Sequence, residues 1–330
     1  MISKGISILI STYNGSKKLD KTLSALSDLN ISGIPYLELI LVDNASNDNT
    51  LEFTEQYWNK LGKPFPLITI METTTGKLNA QETGLKHAQG EFILICDDDN
   101  SLYPDYLQIG FKYLNENPEI GVLGGRGIVK GEIEIPEWFN DYAYFFACAP
   151  QAPQTGNVNP TRNVVYGAGM WFRKPAYDKA KELGFKFIIG SRTGKKLSTG
   201  GEDSELCWAI KMQGFEIWYI DEMRFFHYVP SNRLNESYRK KLLNGMLETG
   251  PYGNIYIRVW KNQISDTIKH FWFKEALYTL FYIIKLPFNN NLKDFKRAFN
   301  NLIILLKENV KYDKKLKGIM DYKKKATNFS

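Results

Sequence analysis

Two rhythms of apolar and polar positions share the first 125 residues of the chain. One is the short apolar run ending in polar residues: Ile6-Ser7-Ile8-Leu9-Ile10, Leu37 to Val42, Leu67 to Ile70, Glu91-Phe92-Ile93-Leu94-Ile95 and the shorter Gly121 to Gly125. Such runs read as strands buried on both faces, in the middle of a parallel sheet. Between them the apolar spacing changes to three and four. Leu19, Leu23, Leu26 and Leu29 share one helical face. Asn47 or Asp48 caps a second helix that runs to about Leu61, Gly76 opens a third carrying Leu85 and Ala88, and Pro104 opens a fourth. Strand and helix in turn predict an α/β fold: a Rossmann-like, mostly parallel central sheet, flanked by helices and joined by right-handed crossovers.

Beyond residue 125 the rhythm loosens. Residues 126–163 are irregular and rich in aromatics, with Trp138, Phe139, Tyr142, Tyr144, Phe145 and Phe146 close together. Packing of an inserted segment accounts for most of these, and stacking on sugar rings is the other use such a patch serves. Val164 to Phe172 reads as a strand, Gly200-Gly201-Glu202-Asp203 opens a helix, and Glu216 to Ile220 is a late strand. After Lys261 two helices are expected. One aligns Leu277, Leu280, Phe281, Ile284 and Phe288; the other aligns Phe295, Phe299, Leu302, Leu306 and Val310. The organisation expected is therefore 1–125, 126–260 and a helical, basic extension over 261–330.

Charge sharpens that division. The net charge is +6, yet residues 261–330 hold 15 Lys and Arg against 6 Asp and Glu. A near-neutral body with a basic tail excludes a general nucleic-acid binder and suggests a tail that meets an anionic surface, or two helices docked on the body. Cys96, Cys148 and Cys207 are scattered, odd in number and without metal spacing, which suits a reduced, cytoplasmic setting. Met1 to Gly5 leads straight into a strand with no signal-peptide pattern, and the apolar stretch from Phe271 is interrupted by Lys274, Glu275 and Lys285.

The candidate chemistry sits at strand ends, where ligands of open α/β sheets bind. Asp97-Asp98-Asp99 follows the most apolar strand. Three adjacent carboxylates repel one another, and hard oxygens suit Mg²⁺ or Mn²⁺ with a bound nucleotide diphosphate; an acidic turn ahead of Pro104 is the plainer reading. Thr12, Tyr13, Asn14 and Asp43 end the first two strands and offer a ring and a carboxylate to a base. Gly76-Lys77 brings a cation to a phosphate. Glu202 and Asp203 start a helix, whose dipole keeps carboxylates ionised. No G-x-G-x-x-G follows the first strand, and Gly190 to Lys196 is one residue short of a P-loop and reads as a basic loop.

The ordered set Ser11-Thr12-Tyr13-Asn14, Val42-Asp43-Asn44-Ala45-Ser46, Gly84 to Glu91, Asp97-Asp98-Asp99 and Gly200-Gly201-Glu202-Asp203 resembles family 2 glycosyltransferases of the GT-A fold, from about Ile6 to Pro230. The resemblance implies an inverting transfer from a nucleotide-diphosphate-sugar, most simply a UDP-sugar, to a glycan or lipid-linked saccharide in bacterial surface polysaccharide synthesis. It implies that residues 1–125 hold the donor and 126–260 the acceptor. Thr12, Tyr13, Asn14, Asp43, Gly76, Lys77, Gln81, Asp97 and Asp98 would bind the donor. Asp99, Asp97 and the distal His227 would hold the metal, as in an Asp-x-Asp motif. Gly167, Ala168, Gly169, Met170 and Trp171 would border the reacting sugars. Asp203 would be the general base, with Glu202 beside it. The implied setting is cytoplasmic, or peripheral at the inner face of the plasma membrane through the basic extension. One departure matters: relatives carry Ala-Arg-Asn-x-Gly where this chain has Ala80-Gln81-Glu82-Thr83-Gly84, and Lys77 is the candidate to supply the missing charge. A nucleotidyltransferase would need a Gly-rich basic loop after the first strand, which Thr12-Tyr13-Asn14 is not. An inactive, scaffold-like relative would not need Asp97, Asp99, Glu202 and Asp203.

Overall fold

The computed structural model describes residues 3–158, 163–189, 201–264, 271–285 and 292–328. One mixed sheet organises the chain. Its first strands are β1 (Ser3–Thr12), β2 (Leu37–Asp43), β3 (Leu67–Met71) and β4 (Gly90–Ile95). These run parallel in the order β3-β2-β1-β4, with α1 (Leu19–Ser27), α2 (Thr50–Lys60) and α3 (Lys77–His87) between them in sequence.

The apolar runs work because period-two side chains divide between two covered faces. Ile6, Ile8, Ile10, Leu39, Leu41, Phe92 and Leu94 enter one core, with Leu19, Leu23 and Leu26 of α1 and Trp58 of α2. Leu9, Ile40, Val42, Ile93 and Ile95 enter the other, with Ala80 and Leu85 of α3. The spacing of α1 is decisive: Leu19, Leu23 and Leu26 are all fully buried. Each such burial contributes about 1.5–3 kcal/mol.

Past β4 the sheet becomes mixed. The remaining elements are β5 (Asn100–Leu102), α4 (Tyr106–Glu116), β6 (Ile120–Gly131), a 3-10 helix (Glu137–Phe146), β7 (Gly156–Asn157), β8 (Trp171–Arg173), α5 (Lys174–Glu182), α6 (Glu202–Lys211) and β9 (Glu216–Val229). β8 lies antiparallel between β4 and β6, β9 runs parallel to β6, and β5 and β7 pair antiparallel with β9. Three expectations change here. The expected strand Gly121 to Gly125 is the start of the twelve-residue β6, so residues 125 and 126 lie in one strand. The late strand is fourteen residues long and takes in His227. Residues Gly167 to Met170 form a turn, because Gly169 adopts φ +68°, and only Trp171–Arg173 is extended.

The C-terminal part is helical: α7 (Glu236–Trp260), α8 (Phe271–Lys285) and α9 (Leu292–Thr327). Tyr252, Ile255, Tyr256 and Val259 of α7 pack with Trp208, Ala209 and Met212 near α6, and with Tyr312, Leu316, Ile319 and Tyr322 of α9. The docking residues of α9 are thus not the stripe expected from sequence. Phe295, Phe299, Leu306 and Val310 of that stripe are exposed. Phe288 and the Gly190 to Lys196 loop lie outside the described residues.

Candidate active site

The carboxyl ends of β1, β2 and β4 meet along one edge, and the loops after β1 and β2 are tied together there. Asn14 and Ala45 both adopt left-handed φ, 51° and 58°. The Asn14 amide donates to Ser46 Oγ at 2.8 Å, and the Asn47 amide returns to Asn14 Oδ1 at 2.9 Å. Asp43 is buried and accepts from the Ser46 amide at 3.1 Å and from its hydroxyl. Asp48 accepts from Ser16 and Thr50 instead of capping α2, whose N-cap residue is Asn49. Tyr13 stays 49% exposed on this edge, its ring open to a planar ligand.

Each carboxylate of the acidic triplet meets a different cation. Asp97 is 2.6 Å from Lys77 Nζ. Asp98 is 2.6 Å from Lys18 Nζ and accepts from Thr12 Oγ1 at 2.5 Å. Asp99 Oδ1 is 3.3 Å from His227 Nε2, and Asp99 Oδ2 is 3.4 Å from Arg233 Nη1. Register explains the last pair: Asn100 of β5 lies opposite His227 of β9, which brings Asp99 alongside the ring. Burial acts to raise the Asp99 pKa, but the His227 cation, then Arg233 and Lys18, outweigh it and hold the carboxyl well below the usual range. Burial acts to lower that of His227, and Asp99 outweighs it in turn, holding the ring well above its ordinary value. Asp98, whose burial outweighs the Lys18 charge, is pushed upward.

Lys77 is the first residue of α3, behind Gly76, whose φ of +133° is a glycine conformation. Asn44 holds that turn by accepting the Gly76 amide at 2.6 Å. Gln81 follows one turn later on the same helix face as Lys77, and both line the main cavity.

That cavity is about 490 Å³. Asp97, Asp98, Asp99, His227 and Arg233 line it. Glu202 and Asp203, at the start of α6, and the turn carrying Gly167, Ala168 and Met170 also line it. Asp203 Oδ2 accepts the Gly167 amide at 2.9 Å, and Oδ1 accepts the Ser204 amide at 2.7 Å. A Cβ at Gly167 would stand 3.2 Å from that carboxyl, so the glycine lets the turn approach Asp203. Tyr144, Phe145, Tyr166, Phe187 and Tyr238 add an aromatic lining, and Arg233 lies over the Tyr238 ring at 5.9 Å.

Sequence reasoning placed one residue wrongly and missed several. Trp171 is fully buried against Tyr106 and Gly110, which removes it from any sugar. Gly169 is also buried, its carbonyl accepting from Tyr106 Oη at 2.6 Å. Missed were Lys18, Arg233 and Glu205. Glu205 is fully buried on α6 and accepts from Tyr256 Oη of α7 at 2.6 Å and from the amides of Ile188 and Ile189 at 2.7 and 3.0 Å. Burial pushes its carboxyl up to about 7, against the lowering effect of those donors. For Arg233 the only sequence signal was its place six residues past His227.

The mixed sheet flanked by helices, with the carboxylates after β4 and at the start of α6 lining one cavity, has the architecture of the GT-A fold. The family described as Glycosyl transferase family 2 matches residues 7–195, more than half of the chain, and the chain belongs to it. It is 25% identical over 229 residues to the poly-β-1,6-N-acetyl-D-glucosamine synthase of Staphylococcus epidermidis, covering 69% of this chain and 50% of that protein. It is 30% identical over 129 residues to the poly(ribitol-phosphate) β-N-acetylglucosaminyltransferase TarS of Staphylococcus aureus, covering 37% of this chain and 22% of that one. The chain thus spans half or less of the length of these relatives. Among solved structures, S. aureus TarS 1–349 in complex with UDP-GlcNAc superposes with a TM-score of 0.55 at 17% identity, covering 98% of this chain and 91% of that one. The mannosyltransferase PcManGT of Pyrobaculum calidifontis, in complex with GDP-Man and Mn²⁺, superposes with a TM-score of 0.54 at 18% identity, covering 93% and 88%.

Proposed function

We propose that this glycosyltransferase moves a sugar from a UDP-sugar, UDP-GlcNAc in the first instance, to a hydroxyl of a glycan or lipid-linked saccharide, with inversion. The observation that carries this reading is Asp203. Its carboxylate is fixed by two backbone amides, in the same cavity as Lys77, Asp97 and Asp99. Two amides leave lone pairs free on both oxygens, so the group is oriented and still able to accept a proton. In the reaction Asp203 takes the acceptor hydroxyl proton as the new C–O bond forms at the anomeric carbon. The bond to the diphosphate breaks on the opposite side, and its electron pair leaves with the phosphate oxygen. Lys77 stands where that charge appears. Tyr13 stacks on the base, and Asp43 with the ordered loop from Asn44 to Asp48 accepts donors from base and ribose.

The metal expectation has partial support in the donor set. Asp99 Oδ1 is buried without a hydrogen-bond partner and lies 3.3 Å from His227 Nε2. Neighbouring ligands of an octahedral Mg²⁺ or Mn²⁺ stand roughly 3 Å apart, and such ions complete their shell with water and substrate phosphates. Among the described residues no three His, Cys, Asp or Glu side chains converge as a ready site. Asp99 and His227, with Asp97 released from Lys77, would hold the ion, which would offset the charge of the departing diphosphate.

The relatives' names, a poly-β-1,6-N-acetyl-D-glucosamine synthase and a poly(ribitol-phosphate) β-N-acetylglucosaminyltransferase, support an N-acetylglucosamine donor and a polymeric acceptor. The test is release of nucleoside diphosphate by the purified full chain from a panel of UDP-, GDP- and TDP-sugars, with Mn²⁺, Mg²⁺ or EDTA. Metal-dependent release of UDP from UDP-GlcNAc is expected. Failure to bind any nucleoside diphosphate in the presence of metal would overturn the reading.

A further inference from the structure

Sixteen large apolar side chains are exposed among the described residues, and eleven of them fall between Phe273 and Val310. They are not spread evenly over α8 and α9. The base of this helix pair is docked. Phe271 stacks on Tyr312 with ring centroids 6.5 Å apart, and the Trp272 amide donates to Asp313 Oδ1 at 2.8 Å. Glu275, buried, pairs with Arg258 of α7 at 2.9 Å. Past that point α8 changes character. Residues 276–284 contain no charge, and Leu277, Tyr278, Leu280, Phe281, Tyr282 and Ile284 are all exposed, Ile284 at 69%. These positions spread over about half of the helix circumference, wider than one stripe, with buried Ala276 and half-buried Thr279 and Ile283 on the other side. An exposed apolar face that broad is one that something covers. On α9, Phe295 and Phe299 stack at 6.0 Å and are also exposed.

We infer that the second half of α8, with the first turns of α9, inserts into the interface of an anionic lipid bilayer. Charge selects this occupant over a second copy of the chain. Lys274 precedes the apolar segment, and Lys307, Lys311, Lys314 and Lys317 are exposed on α9. Two copies meeting through this region would bring two strongly basic tails together. A bilayer with acidic headgroups accepts the apolar segment and the lysines at once. The tyrosines suit that depth, since each has an apolar ring and a polar tip. Length fixes the mode. Nine helical residues rise about 14 Å, under half of a hydrocarbon core. No described helix is long and apolar enough to cross a membrane. The segment enters one leaflet.

The inference does not depend on which sugar is transferred, and its test is independent of donor turnover. Full-length protein is floated with vesicles of phosphatidylcholine alone and of phosphatidylcholine with phosphatidylglycerol. Binding to the phosphatidylglycerol vesicles is expected, weakening as salt rises. The double variant Phe281→Glu/Ile284→Glu alters only exposed side chains and should keep its circular dichroism and its UDP binding while losing about tenfold or more of the vesicle partition. Lys307→Glu/Lys311→Glu should lower partition to phosphatidylglycerol vesicles and leave the weak partition to neutral ones unchanged. Folded wild type that stays at the bottom with phosphatidylglycerol vesicles overturns the inference. So does a dimer, by light scattering, that Phe281→Glu/Ile284→Glu splits while vesicle binding is absent.

Discussion

Two sets of side chains line the cavity and differ in their physics. In the acidic triplet every carboxylate already has a cation: Lys77 with Asp97, Lys18 with Asp98, and His227 and Arg233 with Asp99. Tyr144, Tyr166 and Tyr238 are the aromatic set, which meets the first where Arg233 lies over the Tyr238 ring at 5.9 Å. In the proposed reaction a diphosphate and a metal would meet the first set only by exchange of partners: Asp97 and Asp99 would hold the ion, which would leave Lys77 and Arg233 for phosphate. The aromatic set carries rings of the kind that stack on sugar faces. On the proposed reading, tight and salt-sensitive binding would belong to the donor and more tolerant binding to the acceptor.

Four substitutions break or sharpen that contrast. Asp203→Asn should cut transfer by about 10²–10⁴-fold while UDP binds as before, measured by turnover and calorimetry. Near-normal turnover would take the base away from Asp203. Asp99→Ala should weaken metal-dependent UDP binding about 100-fold or more, and titration with and without Mn²⁺ would show it. Lys77→Met should weaken UDP binding about tenfold and flatten its dependence on salt. An unchanged affinity would mean that Lys77 serves only Asp97. Tyr144→Ala should raise the KM for acceptor by about three- to tenfold, with donor hydrolysis unaltered. A fall in donor hydrolysis instead would erase the division between the two sets.

Glu205 adds a pH dependence outside that contrast. Its folded pKa, pushed up to about 7, exceeds the ordinary value for glutamate. The folded state then binds the extra proton, so this group costs stability as pH rises from about 4.5 to 7. Wild type should lose about 3 kcal/mol between pH 5 and 8 relative to Glu205→Gln, read from denaturant midpoints. Parallel pH profiles for the two proteins would exclude that role.

The parallel half of the sheet was legible because each strand is one uninterrupted apolar run, and the residues it presents at its end follow directly in sequence. Asp97, Asp99 and Lys77 were found that way, Asp203 came from the helix start and the family resemblance, and all four line the cavity. Contacts set by register were not legible. Arg233 meets Asp99 across 134 positions, and Lys18 meets Asp98 across 80. The glycines at the end of the expected fifth strand misled for a physical reason. A Cβ at Gly125 would fall 2.3 Å from the Met223 carbonyl, and one at Gly127 would fall 1.8 Å from the Ala147 carbonyl. They mark close approach of another backbone within a continuing strand, not its end. Trp171 misled because its neighbours in sequence, Ala168 and Met170, do reach the cavity while its own ring turns into the core.

The unbroken passage of β6 through residues 125 and 126 has a mechanical meaning. Residues on either side of that point belong to one hydrogen-bonded sheet, with β6 and β9 paired from Ile120 to Gly131. The pairing changes register between Gly124 and Arg126, where the partner on β9 passes from Tyr219 to Arg224, so the ladder is irregular there while the strand itself runs on.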